Sequence, residues 1–195
     1  MEGQPDKRPP LVVVGGPTAS GKTELAIRLA EWLLAAGRPA TIISADSRQV
    51  YRGLDIGTAK VSAADRARVP HAVLDLVDPP ERFTIGDFAA HARAVLDELG
   101  KRDGVGLLVG GTGLYLRAVA RGLDVEALPD DPLLRARLET ELERDGLAAL
   151  AERLRVSAPI LAGSTDLANP RRVVRALEIA ALRGDGPRPA LRGYG

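Results

Sequence analysis

Eight residues leave this chain few ways to fold. Gly16-Pro17-Thr18-Ala19-Ser20-Gly21-Lys22-Thr23 matches G-x-x-x-x-G-K-[ST], a loop whose glycines let the backbone curl until its N–H groups point inward at phosphate oxygens. Such a loop works between a strand and a helix, and the sequence supplies both. Leu11–Gly16, just before it, is wholly apolar, as strands buried in parallel sheets are. From Lys22 to Ala36, helical spacing groups Leu25, Leu29, Trp32, Leu33 and Ala36 on one face, and Gly37 stands where a helix cap belongs. The helix start adds its positive dipole end to the loop amides. Lys22 brings a mobile positive charge, and Thr23 a hydroxyl suited to Mg2+.

The strand–helix alternation continues. Residues 40–45 read as a second strand and His71–Val77 as a third. Thr84 then opens a helix in which Ile85, Phe88, Ala92, Val95, Leu96 and Leu99 keep helical spacing, with Asp87 placed to close a capping box. Val105–Gly111 is the next strand and Leu114–Arg121 the next helix. This order predicts an α/β fold, a P-loop NTPase-like open parallel sheet with helices on both faces. After Gly122 no strand-like run remains. Asp131-Pro132 opens a helix carrying Leu134, Leu138 and Leu142, Leu147–Leu154 reads as another, and Asn169-Pro170 opens a third. We therefore expect a catalytic core at 1–123, a small all-helical insertion domain at 124–184 and a loop-like end at 185–195.

Composition bounds the function. With 195 residues, 45% of them hydrophobic and only 3% aromatic, the chain can build one domain plus a small insertion around Leu, Val, Ala and Ile. The absence of cysteine excludes disulfides, thiol catalysis and cysteine zinc sites, and suits a reducing interior. The polar, proline-bearing start is unlike a secretory signal, and no apolar run approaches membrane-spanning length. These features predict a soluble, cytoplasmic protein with no membrane partner; a monomer is expected, though the sequence itself does not give oligomeric state. Net charge is +1, but residues 169–195 hold six arginines against Glu178 and Asp185. Such a segment is either a solvated helix face with a tail or a nucleic-acid contact.

The phosphate loop does not say which bond breaks. The Val105–Gly111 strand ends in glycines and carries no acid, unlike the acid-tipped strand of motor ATPases, and no N-K-x-D guanine-reading motif exists. Group transfer on a phosphate-binding scaffold is the remaining reading. Asp46 ends its strand at the edge where open α/β sheets bind ligands, and the polar run Ser47-Arg48-Gln49 follows it. A carboxylate there can serve a magnesium ion or orient a nucleophile.

"GPTASGKT", "SADSRQVYRGLDIGTAK", "VPHAVLD", "FTIGDFAAHA", "LLVGGTGLYLRA" and "NPRRVVRALEI" resemble, in that order, the tRNA dimethylallyltransferases, over about Leu11 to Leu182. The long run after Asp46 and G-G-T-x-L-Y are far more specific than the phosphate loop. The resemblance implies transfer of a five-carbon group from dimethylallyl diphosphate to N6 of an adenosine beside the anticodon of tRNA. The loop is a nucleotide- and ATP-binding signature, yet the resemblance implies that it holds the leaving diphosphate of the prenyl donor, with Mg2+ at Thr23. Lys22, Thr23 and Asp46 become the catalytic set, and Asp46 the acceptor of the amine proton. Asp46, Ser47, Arg48, Gln49, Thr112, Arg135 and the segment Arg171-Arg172-Val173-Val174-Arg175 carry over as contacts to the anticodon stem-loop. On a helical wheel Arg171, Arg172 and Arg175 share one side, while Val173, Val174, Leu177 and Ala180 share the other. Arg135 can equally be a solvated helix arginine.

The chain departs from the family where His71-Ala72 replaces a pair of histidines, where Phe83 replaces a tyrosine, and at its end. Family members usually continue into a segment that closes the core and brings basic residues to the diphosphate, so the resemblance implies a fragment. A P-loop small-molecule kinase using ATP is the alternative, and a non-catalytic RNA-binding fragment is a third reading.

Overall fold

The computed structural model describes residues 8–122 and 130–186. The first span belongs to one compact unit and the second to another. The expected boundary at 123/124 and the loop-like ending of the chain fall mostly outside the described residues.

In the first unit, β1 (Leu11–Gly15), β2 (Ala40–Ser44), β3 (His71–Ala72) and β4 (Val105–Gly110) form one parallel sheet in the order β1-β4-β2-β3. Helix α1 (Lys22–Ala35) and the short α2 (Ala63–Arg68) accompany one face, while α3 (Ile85–Gly100) and α4 (Gly113–Ala120) cover the other. This is the predicted open parallel sheet with helices on both faces. Strands β2 and β4 are central, so alternate residues point into two different cores. Ile42 and Leu107 meet Ile27 and Ala30 on the α1 side, and Ile43 and Leu108 meet Phe88 and Leu96 on the α3 side. The Phe88 and Tyr115 rings stack at 4.0 Å between α3 and α4. Thr84 caps α3 with the capping box its sequence foretold.

Two expectations need correction. The buried face of α1 is Ala26, Ile27, Ala30 and Leu33, whereas Leu25 is 59% and Trp32 66% exposed. Small alanines let the helix lie close to the sheet. Glu24 and Glu31 pair with Arg68 of α2 on one flank of α1. On the helical wheel Leu25 and Trp32 fall on the other flank, and among the described residues β1, which pairs with β4 alone, leaves Val12 and Val13 exposed. The second correction concerns His71–Val77, of which only His71–Ala72 pairs as a strand. Val73 and Asp75 take positive φ values of 61° and 52°, which breaks the ladder and turns Asp75 toward Lys60 and Arg66. Pairing returns as a single bridge between Tyr51 and Val77.

The second unit is helical. Helix α5 (Pro132–Ser157) is broken at Gly146, whose φ of 81° and ψ of 165° divide it into the two helices read from the sequence. A short α6 (Pro159–Gly163) and α7 (Pro170–Arg183) follow. Asp131 caps α5 by accepting from Leu133 N and Leu134 N, and Asn169 caps α7 by accepting from Arg172 N. Leu138, Leu150, Leu154, Leu161, Val173 and Leu177 form the core, each full burial contributing about 1.5–3 kcal/mol.

Candidate functional site

The phosphate loop bends as its sequence requires. Gly21 sits at φ 81° as the N-cap of α1 and offers no side chain to the helix amides, so these remain available to an anion. Ala19 holds φ 62° despite its Cβ, at a cost of about 1–2 kcal/mol. The Lys22 ammonium donates to Pro17 O and lies 3.5 Å from Ser20 Oγ. Gly16 N donates to Gly110 O, fastening the loop to the end of β4.

The ends of β2 and β4 bring the other groups in. A Cβ on Gly110 would stand 2.2 Å from Ala45 O, so only glycine permits this approach. Ala45 N donates to Val109 O at 2.7 Å, and Thr112 N donates to Ala45 O at 3.1 Å. Thr112 Oγ1 accepts from Ser47 N at 3.1 Å. The G-G-T run thus ties the Asp46 loop to the glycine end of β4. Asp46 Oδ1 accepts from Arg48 N at 2.9 Å, and its other oxygen has no protein partner among the described residues. Asp46 lines one pocket together with Thr18, Lys22 and Thr23.

Gln49 lines the same pocket, but its amide is occupied. Its Oε1 accepts from Ser44 Oγ at 2.8 Å, and its Nε2 donates to Thr58 O at 3.1 Å. It clamps the loop that follows. Lys60, the last residue of the D-I-G-T-A-K run, carries no sequence signal for a role, yet it anchors this loop. Its side chain is 1% exposed and meets Asp55 at 2.8 Å, Asp75 at 2.6 Å and Tyr51 O at 2.7 Å. Burial pulls its ammonium pKa down, but the hydrogen bonds to Asp55 and Asp75 outweigh that and hold it above the usual lysine value. Burial pushes Asp75 up, and Lys60 and Arg66 hold it below the usual carboxylate value. Nearby, burial lowers His71. Burial also pushes the Tyr115 phenol up to about 12, which keeps it neutral.

Among the described residues no three His, Cys, Asp or Glu side chains gather as a metal cage. The pocket instead offers the Thr23 hydroxyl and the Asp46 carboxylate. Such hard oxygens suit Mg2+ when phosphate and water supply the rest of the sphere.

In the helical unit the predicted arginines divide into two kinds. Arg171 and Arg172 are exposed, and Arg172 reaches Asp166 only loosely at 3.4 Å. Arg175 and Arg135 turn instead to Glu178, which is fully buried. Arg175 Nη1 donates to Glu178 Oε2 at 2.6 Å, Arg135 Nη2 donates to the same oxygen at 2.8 Å, and Asp131 N donates to Oε1 at 2.8 Å. Burial alone would raise the Glu178 pKa, but these donors hold it below the usual value. Of the three arginines on this side of α7, Arg171 and Arg172 are exposed and Arg175 is drawn to Glu178. Val173 and Val174 are core residues, 0% and 4% exposed.

The chain is similar to known proteins along most of its length. A family model described as IPP transferase matches residues 49–191. A tRNA dimethylallyltransferase of Anaeromyxobacter dehalogenans is 51% identical over 88% of this chain and 55% of its own. One from Kineococcus radiotolerans is 45% identical over 93% of this chain and 56% of its own. The solved full-length tRNA isopentenylpyrophosphate transferase of Bacillus halodurans is 41% identical, with a TM-score of 0.57, over 90% of this chain and 56% of that one. A solved eukaryotic dimethylallyltransferase acting on tRNA is 26% identical, with a TM-score of 0.69, over 89% of this chain and 41% of that one. The chain thus spans about half the length of the relatives it matches.

Proposed function

The chain belongs to the IPP transferase family, and from that premise we propose that it carries the site for transferring a dimethylallyl group from dimethylallyl diphosphate to N6 of an adenosine adjacent to the anticodon of tRNA. The observation that carries this reading is a carboxylate, with one oxygen unpartnered among the described residues, in the same pocket as a phosphate cradle.

The chemistry follows from that pairing. The loop amides from Thr18 to Thr23 and the Lys22 ammonium hold the diphosphate. Bound Mg2+, held by Thr23 with Asp46 close by, would screen charge on that diphosphate. Asp46 accepts the N–H of the exocyclic amine, which is a poor nucleophile because its lone pair is delocalised into the ring. As the new N–C bond forms, the allylic C–O bond breaks and the diphosphate leaves with the electron pair. The amine proton passes to the free Asp46 oxygen. Charge developing on the leaving group is met by donors already in place. The Ser47–Thr112 hydrogen bond and the Gln49 clamp keep Asp46 facing the cradle.

Arg48, Arg171 and Arg172 are exposed cations suited to meeting RNA phosphates. Arg135 and Arg175 support the helical unit that presents the latter pair. Such contacts position a substrate without reading its sequence.

Calorimetric titration with dimethylallyl diphosphate and with ATP, each with Mg2+, tests the cradle. Tighter binding of dimethylallyl diphosphate is expected. Tight ATP binding with phosphoryl transfer to a small acceptor, and no response to the prenyl donor, would establish the kinase reading instead.

A further inference from the structure

The loop after the site holds an apolar side chain where the fold has no use for one. Ile56 is 98% exposed, and Leu54 beside it is 39% exposed. Single exposed apolar residues are ordinary, so exposure alone decides nothing. The rigidity of this loop does. Ala59 N donates to Ile56 O at 3.2 Å, and Lys60 N donates to Asp55 O at 3.1 Å. Thr58 Oγ1 donates to Leu54 O, Gln49 Nε2 donates to Thr58 O at 3.1 Å, and the buried Lys60 grips Asp55. A turn tip normally takes Gly, Asn, Asp or Ser. Here a β-branched side chain is locked outward, immediately beside the polar run that begins at Asp46.

The surroundings indicate what it meets. Arg48, Leu54, Ile56 and Thr58 line one open groove. Arg48 is exposed, and its guanidinium has no partner among the described residues. Its backbone is fixed by Asp46 Oδ1, so the groove starts two residues from the acid that would hold the adenine amine. An apolar tip beside a free cation matches a nucleobase face joined to a phosphate. An adenosine that enters a pocket must leave its stack, and aliphatic side chains are known to wedge against the steps so opened.

We propose that Ile56 packs against the face of the nucleobase next to the adenosine that enters the site, holding the anticodon loop unstacked while Arg48 meets the adjoining phosphate. This rests on the tRNA reading above. Ile56 acts as a positioning residue and takes no part in proton transfer.

The test is binding of the protein to an anticodon stem-loop carrying 2-aminopurine beside the target adenosine, whose fluorescence rises on unstacking. Wild type is expected to bind with a rise in signal. Ile56→Ser should weaken binding roughly 5- to 20-fold and remove most of the rise, in line with removal of an apolar wedge, while Ile56→Leu retains both. Melting temperature should not change, because the side chain touches almost nothing else in the protein. Binding and signal unchanged in Ile56→Ser would overturn this inference and leave the tRNA reading standing. A lowered melting temperature for Ile56→Ser would assign the residue to the fold and also overturn it. Failure of wild type to bind any stem-loop would overturn the tRNA reading and this inference with it.

Discussion

Each unit buries an ion cluster, and the two clusters do different work. In the α/β unit, Lys60 is sunk beneath the Asp46 loop with Asp55 and Asp75, and Arg66 completes the set. The buried charge there shapes the loop while Asp46, Lys22 and Thr23 stay exposed to the pocket. In the helical unit, Glu178 is the buried charge, and it draws Arg135 and Arg175 inward from what would otherwise be a basic face. One cluster leaves the pocket-lining groups outside it, and the other draws two arginines to a buried carboxylate. Counting charges along a chain cannot distinguish these cases, since what matters is which partner each charge finds.

The largest effect that would break this comparison is loss of Glu178. Removing it leaves two part-buried guanidinium groups facing each other, so Glu178→Ala should destabilise the helical unit by about 3 kcal/mol. Helicity lost early in a urea titration, with the sheet unit melting later, is the expected record. Because the folded-state pKa of Glu178 is depressed, its contribution is present above the ordinary glutamate value of 4.5 and disappears as pH falls through the lower folded value. Helical stability should therefore hold from neutral pH into mild acid and decline only below that range. A decline on the alkaline side alone would show that Glu178 is not the hub.

A smaller effect is expected at Lys60. Lys60→Met keeps most of the volume and removes hydrogen bonds to Asp55, Asp75 and Tyr51 O, for a loss of about 2 kcal/mol. Hydrogen exchange should quicken at 52–60 while the central strands stay protected. Uniform loosening of the whole unit would mean that Lys60 serves the core and not the loop.

The smallest effect sharpens the contrast between the two kinds of arginine. Arg171→Ala with Arg172→Ala should leave stability within about 0.5 kcal/mol of wild type. The plot of log RNA affinity against log salt should flatten by about 0.7–0.9 for each phosphate that is no longer neutralised. Arg135→Ala and Arg175→Ala should instead lower stability. An unchanged salt slope in the double variant would reduce Arg171 and Arg172 to a solvated face.

These contrasts also mark what could be read from sequence. The phosphate loop, the capping box at Thr84 and the helix starts at Asp131 and Asn169 were legible because each is set by residues within one turn of the chain. The break at Gly146 fell between two helices already separated by their leucine spacing. Roles that depend on distant partners were not legible. Glu178 meets Arg135 across 43 residues of sequence, and Thr112 meets Ser47 across 65. The face of α1 was misread for a related reason. Periodicity ranks side chains by bulk and polarity, whereas the sheet selected the alanines that allow close approach and left Leu25 and Trp32 outside. Helix α2 has no apolar periodicity to reveal it, and its one local signal is Ser62 capping Asp65 N three residues on. Gly110 was seen only as the lack of an acid. Its meaning, close approach to Ala45, required both strands.

The most direct measurement is single-turnover transfer of a labelled prenyl group from dimethylallyl diphosphate to an unmodified anticodon stem-loop, with Mg2+, by wild type and by Asp46→Ala. The expected result is label on N6 of the adenosine with wild type, and a chemical step slower by roughly 10²–10⁴-fold in the variant, as for loss of a positioned base. Equal rates for the two proteins, or labelled phosphate passing from ATP to an acceptor with no prenyl transfer, would contradict the account.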